Sequence, residues 1–479
     1  MINLVWYRSD LRTIDCEPLM KAAESGRTVH ACFLVCLEQW KRHDWGSNRA
    51  EYLRRNLVDL SRRLEELRIP LHIRDAGTFA DVPRVLGELV DDLGIQAVHW
   101  GCEYEANERD RDVQVRKRLE EMGVGVTEHH DQVLLDPDGP RTGAGGGYKV
   151  FTPYRKATLQ SLQEIREGDP VRCRPPARKD MPAEPDPVPE HFDGFRDFVD
   201  LDPWPIGEEA AITQLDRFLA DGVDAYDLNR DLPGVRGTSR LGPSLAVGTL
   251  SPWTCFQAAR DGRIPGAECG GRDTWISELI WREFYRHVLV HHAHVGRGRN
   301  FDARKNGVEW RDDEAGFQAW CSGTTGIPIV DAAMRCLVAT GWMHNRLRMV
   351  VSQFLSKNLL IDWRKGEAFF ARHLVDLDFA SNNGGWQWSS STGTDAAPYF
   401  RVFNPVRQGQ KHDPSGEFVV QWIPELASIP GPDRHDPWRK HGLLLSGMDY
   451  PEPIVCLSSS RKRAIDCFRD AIQSASQEA

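Results

Sequence analysis

Ile2-Asn3-Leu4-Val5-Trp6-Tyr7 is an apolar run of the length that forms a buried β-strand, and four more such runs follow it before residue 135. They are Val29 to Cys36, Pro70 to Ile73, Ala97 to Trp100, and Val124 to His129. Helical patterns separate them, most clearly between Asn48 and Arg68, where leucines recur every three or four residues. Strands that alternate with helices of this length predict a parallel, doubly wound sheet. We therefore expect an α/β, Rossmann-like domain over residues 1–135.

The turn after the first strand reads Arg8-Ser9-Asp10-Leu11-Arg12. It lacks the GxGxxG pattern that seats a pyrophosphate at a helix N-terminus. The main dinucleotide site is therefore expected later in the chain.

Residues 136–205 hold 12 of the chain's 29 prolines. Proline at this density argues against regular helices, because each ring removes a backbone donor. We expect a long interdomain connector with extended backbone, anchored by the aromatic island from Tyr148 to Tyr154.

Residues 206–479 are predicted to form an all-α domain. Helical patterns alternate there with loops rich in glycine and proline. The patterns cover Ala210 to Leu219, Asp273 to His291, Ile329 to Thr340, Asn345 to Leu360, Gly366 to Leu374, and Ser460 to Ser474.

The composition favours a cytoplasmic protein, with a monomer as the default state. No run of 18 apolar residues occurs, and the N-terminus lacks the features of a signal peptide. The 11 cysteines show no CxxC or metal-ligand spacing, which indicates reduced thiols and predicts no metal site.

The formal net charge of -10 argues against a protein that coats nucleic acid with its whole surface. Two stretches, Thr340 to Ile361 and Ala397 to His412, nevertheless carry only positive charge. They are either phosphate-facing surfaces or ordinary solvated faces.

The run Asn382-Asn383-Gly384-Gly385-Trp386-Gln387-Trp388 concentrates amides, glycines and indoles. Paired glycines allow a flat partner to approach the backbone, indoles offer stacking faces, and amides hydrogen-bond ring nitrogens or carbonyls. This pattern predicts a heteroaromatic ligand. The alternative is a turn between two core-packed helices whose tryptophans fill volume.

Other polar motifs of the helical half leave two interpretations open. The segment Gly237 to Ser244 suits phosphate oxygens but also an ordinary helix cap. On the helix around Trp281, Glu278 and Arg282 could address one ligand or form a salt-bridged surface. Asp376 and Asp378 suit ligand hydroxyls or a paired acid dyad.

Several of these motifs occur in the order found in the photolyase and cryptochrome flavoproteins. The chain resembles this family at Leu4 to Arg12, Glu278 to Tyr285, Gly341 to Arg348, and Asn382 to Phe403. The similarity covers essentially the whole chain and is greatest to bacterial class I cyclobutane pyrimidine dimer photolyases. It implies a light-dependent DNA repair lyase that holds FAD in its helical domain.

The resemblance also implies which residues bind FAD. They are Tyr226, Thr238, Ser239, Arg240, Leu241, Gly242, Trp275, Arg282, Trp342, Asn345, Arg348, Asp376, Asp378 and Asn382. Asn382 would face the flavin N5, where plant and animal cryptochromes carry Asp and Cys. Trp386, Trp363 and Trp310 match a chain of tryptophans that passes an electron to photoexcited flavin.

For the DNA substrate, the resemblance implies that a damaged dinucleotide is flipped out of the duplex. The implied contacts are Arg230, Glu278, Trp281, Asn345, Arg346, Met349, Trp388, Arg401 and Lys411. The (6-4) photolyases carry histidine at the position of Asn345, so cyclobutane dimers are the expected lesion. The alternatives are a cryptochrome-like photoreceptor that signals through a partner, and an electron-transfer flavoprotein without a DNA substrate.

An antenna pigment is the remaining implication. His43, Asn107 and Glu108 match residues that hold methenyltetrahydrofolate in folate-using relatives. Around Gly296 and Arg297 the chain departs from the Cys-Lys pair of a bacterial relative.

Overall fold

The computed structural model describes residues 2–164, 173–260, 270–445 and 449–478. Their internal contacts divide the chain into two compact units. The first comprises Met1–Asp227, Ser239–Ala293 and Val375–Ala380, and the second comprises Leu228–Thr238, His294–Leu374 and Ser381–Ala479. The chain therefore passes between the units more than once.

Five parallel strands form the sheet of the first unit: β1 Ile2–Tyr7, β2 Thr28–Val35, β3 Leu71–Asp75, β4 Ile95–Gly101 and β5 Gly125–His129. Their order is β3-β2-β1-β4-β5. In the central strand, Val5 lies opposite Ala31 on one side and His99 on the other. Both faces of β1 are buried, which explains why all of its residues except Asn3 are apolar or aromatic. The predicted doubly wound α/β sheet is confirmed.

Helices alternate with these strands and make up most of the rest of the chain. Before residue 294 they are α1 Glu17–Glu24, α2 Leu37–Arg42, α3 Ser47–Glu66, α4 Val82–Leu93, α5 Ala106–Glu121, α6 Phe151–Glu164, α7 Glu208–Asp221, α8 Tyr226–Asn229, α9 Gly242–Val247, α10 Pro252–Arg260 and α11 Gly271–His291. The leucine stripe of α3 is buried, as its spacing predicts.

After residue 294 the helices are α12 Glu314–Ser322, α13 Pro328–Thr340, α14 Asn345–Gln353, α15 Trp363–His373, α16 Phe379–Ser389, α17 Pro405–His412, α18 Glu417–Trp422, α19 Pro437–Leu445 and α20 Leu457–Glu478. Short 3-10 turns occur at Val223–Ala225, Val295–Arg297, Ala303–Lys305, Pro424–Leu426 and Gly431–His435. Within the described residues no strand follows β5, which confirms the helical C-terminal half. None of the described helices is long and apolar enough to cross a membrane.

The expectation that the proline-rich connector contains no regular helix is wrong, because α6 lies inside it. Pro153 is the third residue of α6, where a backbone N–H has no intrahelical acceptor to lose. The aromatic side chains of the predicted island fasten the helix to α11. Phe151 stacks on Trp281 with a centroid distance of 3.6 Å, and Tyr154 packs on Phe284 at 5.2 Å.

Two other local interpretations also change. The predicted helix from Asn345 to Leu360 is α14 followed by a π-helix at Phe354–Leu359, and Leu360 ends it with a φ of 57°.

The alternative interpretation of residues 382–388 as a turn is wrong, because they lie within α16. The Trp386 ring leaves no room for a side chain at Gly366 of α15. Glycine at this position therefore lets the indole of α16 pack closely against α15.

Candidate active site

Helix α11 carries four of the predicted site residues in the first unit. Trp275 is buried against Phe218, with their ring centroids 5.4 Å apart. Glu278 and Trp281, one turn apart, are partly exposed. The stacking of Trp281 on Phe151 fixes the plane of its indole before any ligand binds. Glu278 and Trp281 therefore present a carboxyl group and a held aromatic plane on one helix.

Arg282, the fourth of these residues, belongs to a buried ion cluster with Asp378. Its Nη1 donates to the carbonyl oxygen of Gln132 at 2.6 Å, and its Nε lies 4.0 Å from Asp378 Oδ2. Burial and the neighbouring Arg286 lower the pKa of Arg282 to about 10. Arg286 donates to the same Asp378 oxygen. Asp378, predicted to bind a flavin hydroxyl group, is thus oriented by guanidinium groups.

The segment predicted to bind phosphates has an unusual backbone. Arg240 has a φ of 53°, in the left-handed region that costs a non-glycine residue roughly 1–3 kcal/mol. The carbonyl oxygen of Ser239 accepts from Gln214 Nε2 at 2.9 Å, which anchors the loop. A Cβ at Gly242 would lie 2.9 Å from Asp376 Oδ2, so only glycine allows this carboxylate to approach. Leu241 is buried and Tyr226 packs on Phe218, while Thr238 belongs to the second unit.

In the second unit, hydrogen bonds orient the two asparagines of α16. Asn382 Nδ2 donates to the carbonyl oxygen of Glu367 at 3.2 Å. Asn383 Nδ2 donates to the side chain of Glu367 at 2.8 Å, and Gln387 Nε2 donates to Asn383 Oδ1 at 3.1 Å. Because its N–H is used, Asn382 keeps Oδ1 as an acceptor. A Cβ placed on the neighbouring Gly385 would meet open space.

The three predicted electron-relay tryptophans all lie in the second unit, two of them buried and the third at the surface. Trp386 and Trp363 are buried, and Trp310 is partly exposed beside Phe468, with a centroid distance of 5.9 Å. Trp363 Nε1 donates to Asn300 Oδ1 at 3.1 Å. The buried Trp320, which no sequence motif indicated, has its ring 6.0 Å from that of Trp386.

The segment before α14 holds several predicted ligand residues. His344 caps the helix by accepting from the backbone N–H of Arg346 at 3.2 Å. Asn345, the first helical residue, is exposed. Arg348 Nε donates to the carbonyl oxygen of Met343 at 2.7 Å. Trp342 packs edge-on against His344. Met349 and Trp388 are partly exposed.

Three of the predicted DNA contacts meet in the second unit. We call Arg230, Arg346, Lys411 and His412 the basic cluster, and Asp231 lies among them. His412 hydrogen-bonds the backbone carbonyl oxygen of Asp231, which links α17 to the segment after α8. Arg401, the remaining predicted phosphate contact, is exposed. Asp231 was not among the residues predicted from the sequence, although it follows Arg230 directly.

The predicted antenna residues meet in the first unit. Asn107 Nδ2 donates to His43 Nε2 at 2.9 Å, and Glu108 Oε1 lies 3.5 Å from His43 Nδ1. Burial, with Glu105 and Glu103 nearby, raises the pKa of Glu108 to about 8. Burial lowers the pKa of His43.

Comparison with known proteins agrees with this geometry. The profile of the FAD binding domain of DNA photolyase matches residues 275–470, and the DNA photolyase profile matches residues 3–177. Deoxyribodipyrimidine photo-lyase of Escherichia coli K12 is 42% identical, over 98% of both chains. The chain belongs to the DNA photolyase family. The photolyase of Vibrio cholerae is 38% identical, over 98% of this chain and all of its own.

Solved structures give the same result for this photolyase. A bacterial class III photolyase from Agrobacterium tumefaciens matches with a TM-score of 0.85 and 33% identity, over 98% of both chains. A cryptochrome from Synechocystis sp. PCC6803 matches with a TM-score of 0.83 and 27% identity, over 98% of this chain and 99% of its own. The expected family, fold, lyase activity and FAD cofactor are thereby confirmed. The roles of single residues, the domain boundaries and the antenna stay predictions.

Each unit contains residues that fit part of an FAD molecule. In the second unit, the open space beside Gly385 and the amide oxygen of Asn382, whose Nδ2 donates to Glu367, suit a flat ring that carries an N–H group. In the first unit, Arg240 lies in a strained loop, and its guanidinium has the chemistry to bind phosphate oxygens. In the described residues no group of three or more His, Cys, Asp or Glu side chains is arranged to hold a metal ion.

Proposed function

We propose that this photolyase splits cyclobutane pyrimidine dimers in DNA, with Glu278, Trp281 and Asn382 as central site residues. FAD, when bound and reduced, supplies a light-excited electron to the dimer. The observation that carries the assignment of residues is the arrangement of Glu278 and Trp281 on α11, with Trp281 already stacked on Phe151. This arrangement suits two flipped bases.

Glu278 is proposed to hydrogen-bond the polar edge of the dimer. A hydrogen bond that strengthens as negative charge develops on the base stabilises the reacting state more than the ground state. Trp281 and Trp388 are proposed to stack on the flipped bases, an interaction worth about 1–3 kcal/mol per base. Asn345 and Met349, both accessible at the surface of α14, complete the proposed contacts.

Asn382 is proposed to accept a hydrogen bond from the flavin N5. Its bond to Glu367 supports this role, because it fixes the amide with Oδ1 as the acceptor. Trp275, Arg282, Trp342, Arg348, Asp376 and Asp378 are proposed to surround the rest of the cofactor, with Tyr226 and residues 238–242 at its phosphates.

We further propose that Trp386, Trp363 and Trp310 carry an electron toward the cofactor. The burial of Trp386 and Trp363 and the partial exposure of Trp310 support a path from the interior to solvent. His43, Asn107 and Glu108 are proposed to hold a methenyltetrahydrofolate antenna. Their mutual contacts support a prepared polar site.

We also infer a monomer in a reducing, cytoplasmic compartment. All ten cysteines in the described part of the chain are free, which is the state expected there.

A repair assay tests the proposed function. The holoprotein is mixed with ultraviolet-irradiated oligothymidylate and a reductant, and the return of thymine absorbance is followed under blue light and in the dark. We expect recovery only in the light. Glu278→Gln should slow it roughly 10- to 100-fold, which corresponds to the loss of a charged hydrogen bond of about 1.5–3 kcal/mol.

The photoreceptor alternative is favoured by the likeness to the Synechocystis cryptochrome. A protein that binds FAD and responds to blue light, yet restores no thymine absorbance, would support that alternative over repair. Wild-type rates for Glu278→Gln would instead remove Glu278 from the proposed site.

A further inference from the structure

The basic cluster encloses the carboxylate of Asp231, which holds one of the predicted phosphate contacts. Asp231 Oδ2 accepts from Arg346 Nη2 at 2.6 Å, and Oδ1 accepts from Arg346 Nε at 3.2 Å. These are the two parallel N–H groups with which a guanidinium grips a phosphate. In the free protein Arg346 is therefore paired in the geometry that DNA would require.

The pair lies where a phosphate can reach it. The side chains of Arg346 and Asp231 retain 19% and 34% of their exposure. Arg230 and His412 also lie near Asp231, so the carboxylate is surrounded by basic side chains from three segments of the chain. A phosphate that takes over Arg346 must displace a like charge.

We propose that Asp231 is a specificity-determining residue that withholds Arg346 from undamaged DNA. The inference rests on the proposed function. Undamaged duplex binds only through weak phosphate contacts. Its phosphates contact Arg230 and Lys411 of the basic cluster and leave the pair of Asp231 and Arg346 intact. A flipped lesion adds base contacts that hold the backbone against α14, and this added binding displaces the carboxylate.

The proposal makes opposite predictions for two variants. In the dark, binding of holoprotein to irradiated and unirradiated duplex of one sequence is titrated with salt. Asp231→Asn should steepen the salt dependence for undamaged duplex by about 0.9 in the logarithmic slope, because one more phosphate is neutralised. This variant then loses about threefold more affinity than wild type between about 50 and 200 mM salt. Its slope for irradiated duplex should stay unchanged, since Arg346 is already engaged there.

Arg346→Gln should lower the slope for irradiated duplex by about 0.9 and leave the slope for undamaged duplex unchanged. In the double variant, the effect of Asp231→Asn should disappear. Asp466→Asn is the matched control, since it removes the same charge from a surface pair with Arg469 outside the cluster. Arg346→Gln also decides the question if Asp231→Asn does not fold.

The outcomes separate this proposal from the proposed function. If wild-type protein does not prefer irradiated duplex, the repair function itself fails. If wild type prefers irradiated duplex but Asp231→Asn leaves the slope for undamaged duplex unchanged, or Asp466→Asn changes it equally, Asp231 does not withhold Arg346. A loss of slope in Arg346→Gln with undamaged duplex would also overturn the proposal.

Discussion

At the scale of single residues, the orientation of Asn382 depends on a partner that the sequence does not reveal. The carbonyl oxygen of Glu367, 15 positions earlier on α15, accepts from Nδ2 of Asn382, so the Oδ1 end of the amide points away from Glu367. Asn382 itself could be selected from its motif, because amides next to glycines and indoles suit a flat ligand. Glu367 and Asp231 could not, because both act through contacts between segments that are distant in sequence.

Trp363 provides the test of the proposed electron relay. Trp363→Phe keeps a smaller aromatic ring at this buried position, and Asn300 Oδ1, which accepts from Trp363, also accepts from Arg364 at 3.2 Å. We expect FAD content and lesion binding to persist, while photoreduction of oxidised protein slows at least about tenfold because phenylalanine is much harder to oxidise than indole. Transient absorption measures the rate. Trp320→Phe is the matched control. If Trp320→Phe slows photoreduction and Trp363→Phe does not, the path runs through Trp320.

At the scale of elements, the sheet carries two buried histidine pairs that make its stability depend on pH. His30 Nδ1 lies 2.8 Å from His72 Nε2 across β2 and β3, and His99 Nδ1 lies 3.3 Å from His129 Nε2 across β4 and β5. Burial, and then the partner imidazole, lowers the pKa of His30 and of His99 to about 4. Asp186 and Glu17 lie at the outer ends, 4.0 Å from His72 and 3.5 Å from His129.

This arrangement predicts a loss of stability in mild acid. Between about pH 6.5 and 4 these histidines bind more protons in the unfolded chain than in the folded one, so their contribution to stability is complete above pH 6.5 and falls below it. The loss should reach at most about 3 kcal/mol for each lowered histidine. Urea unfolding at several pH values measures it. His99→Gln should flatten the dependence, whereas exposed His191→Gln should not, and equal slopes in both variants would contradict the assignment.

The π-helix after α14 buries a lysine without a carboxylate beside it in the described residues. Lys357 Nζ donates to Ser391 Oγ at 2.6 Å and lies 4.1 Å from the centroid of the Phe468 ring. Burial, with Lys305 adding repulsion, lowers the pKa of Lys357 to about 7. Between about pH 7 and 10 the unfolded chain therefore binds the extra proton, and stability rises with pH.

Lys357→Met should remove this pH dependence. It should also stabilise the protein at pH 7 by roughly 1–4 kcal/mol, because an apolar side chain of similar length replaces a buried amine. Urea unfolding at pH 7 and 9 checks both expectations. The exposed Lys462→Met provides the baseline, and destabilisation by Lys357→Met at pH 7 would show that the ammonium is needed.

Elements differ in how well the sequence predicts them. The sequence predicts the sheet well, because the apolar residues of each strand and helix recur at the positions that the element buries. The proline count misjudged α6, since it ignores where in a helix Pro153 lies and what Phe151 and Tyr154 bury. The π-helix was likewise out of reach, because its apolar pattern up to Leu359 also fits an α-helix.

At the scale of the whole molecule, a net charge of -10 coexists with a local basic surface. Long-range repulsion then weakens binding to any DNA, and affinity depends on the few cations that touch phosphate. Composition alone therefore argued against a protein that coats nucleic acid with its whole surface. The stretch from Ala397 to His412, whose charged residues are all positive, was compatible with a phosphate-facing surface or an ordinary solvated one. Net charge could not show which of its cations face one surface, because that depends on the fold.

Arg401 and Lys411 test whether binding is confined to these few cations. The double variant Arg401→Gln, Lys411→Gln should lower the salt slope for irradiated duplex by about 1.8, or about 0.9 for each lost phosphate contact. The control Arg439→Gln, Lys440→Gln changes the net charge equally at exposed positions of α19. If both variants lower the slope alike, net charge and not a defined surface governs the affinity. If only the first does, an acidic protein binds DNA through one small basic surface, and salt titration counts its contacts.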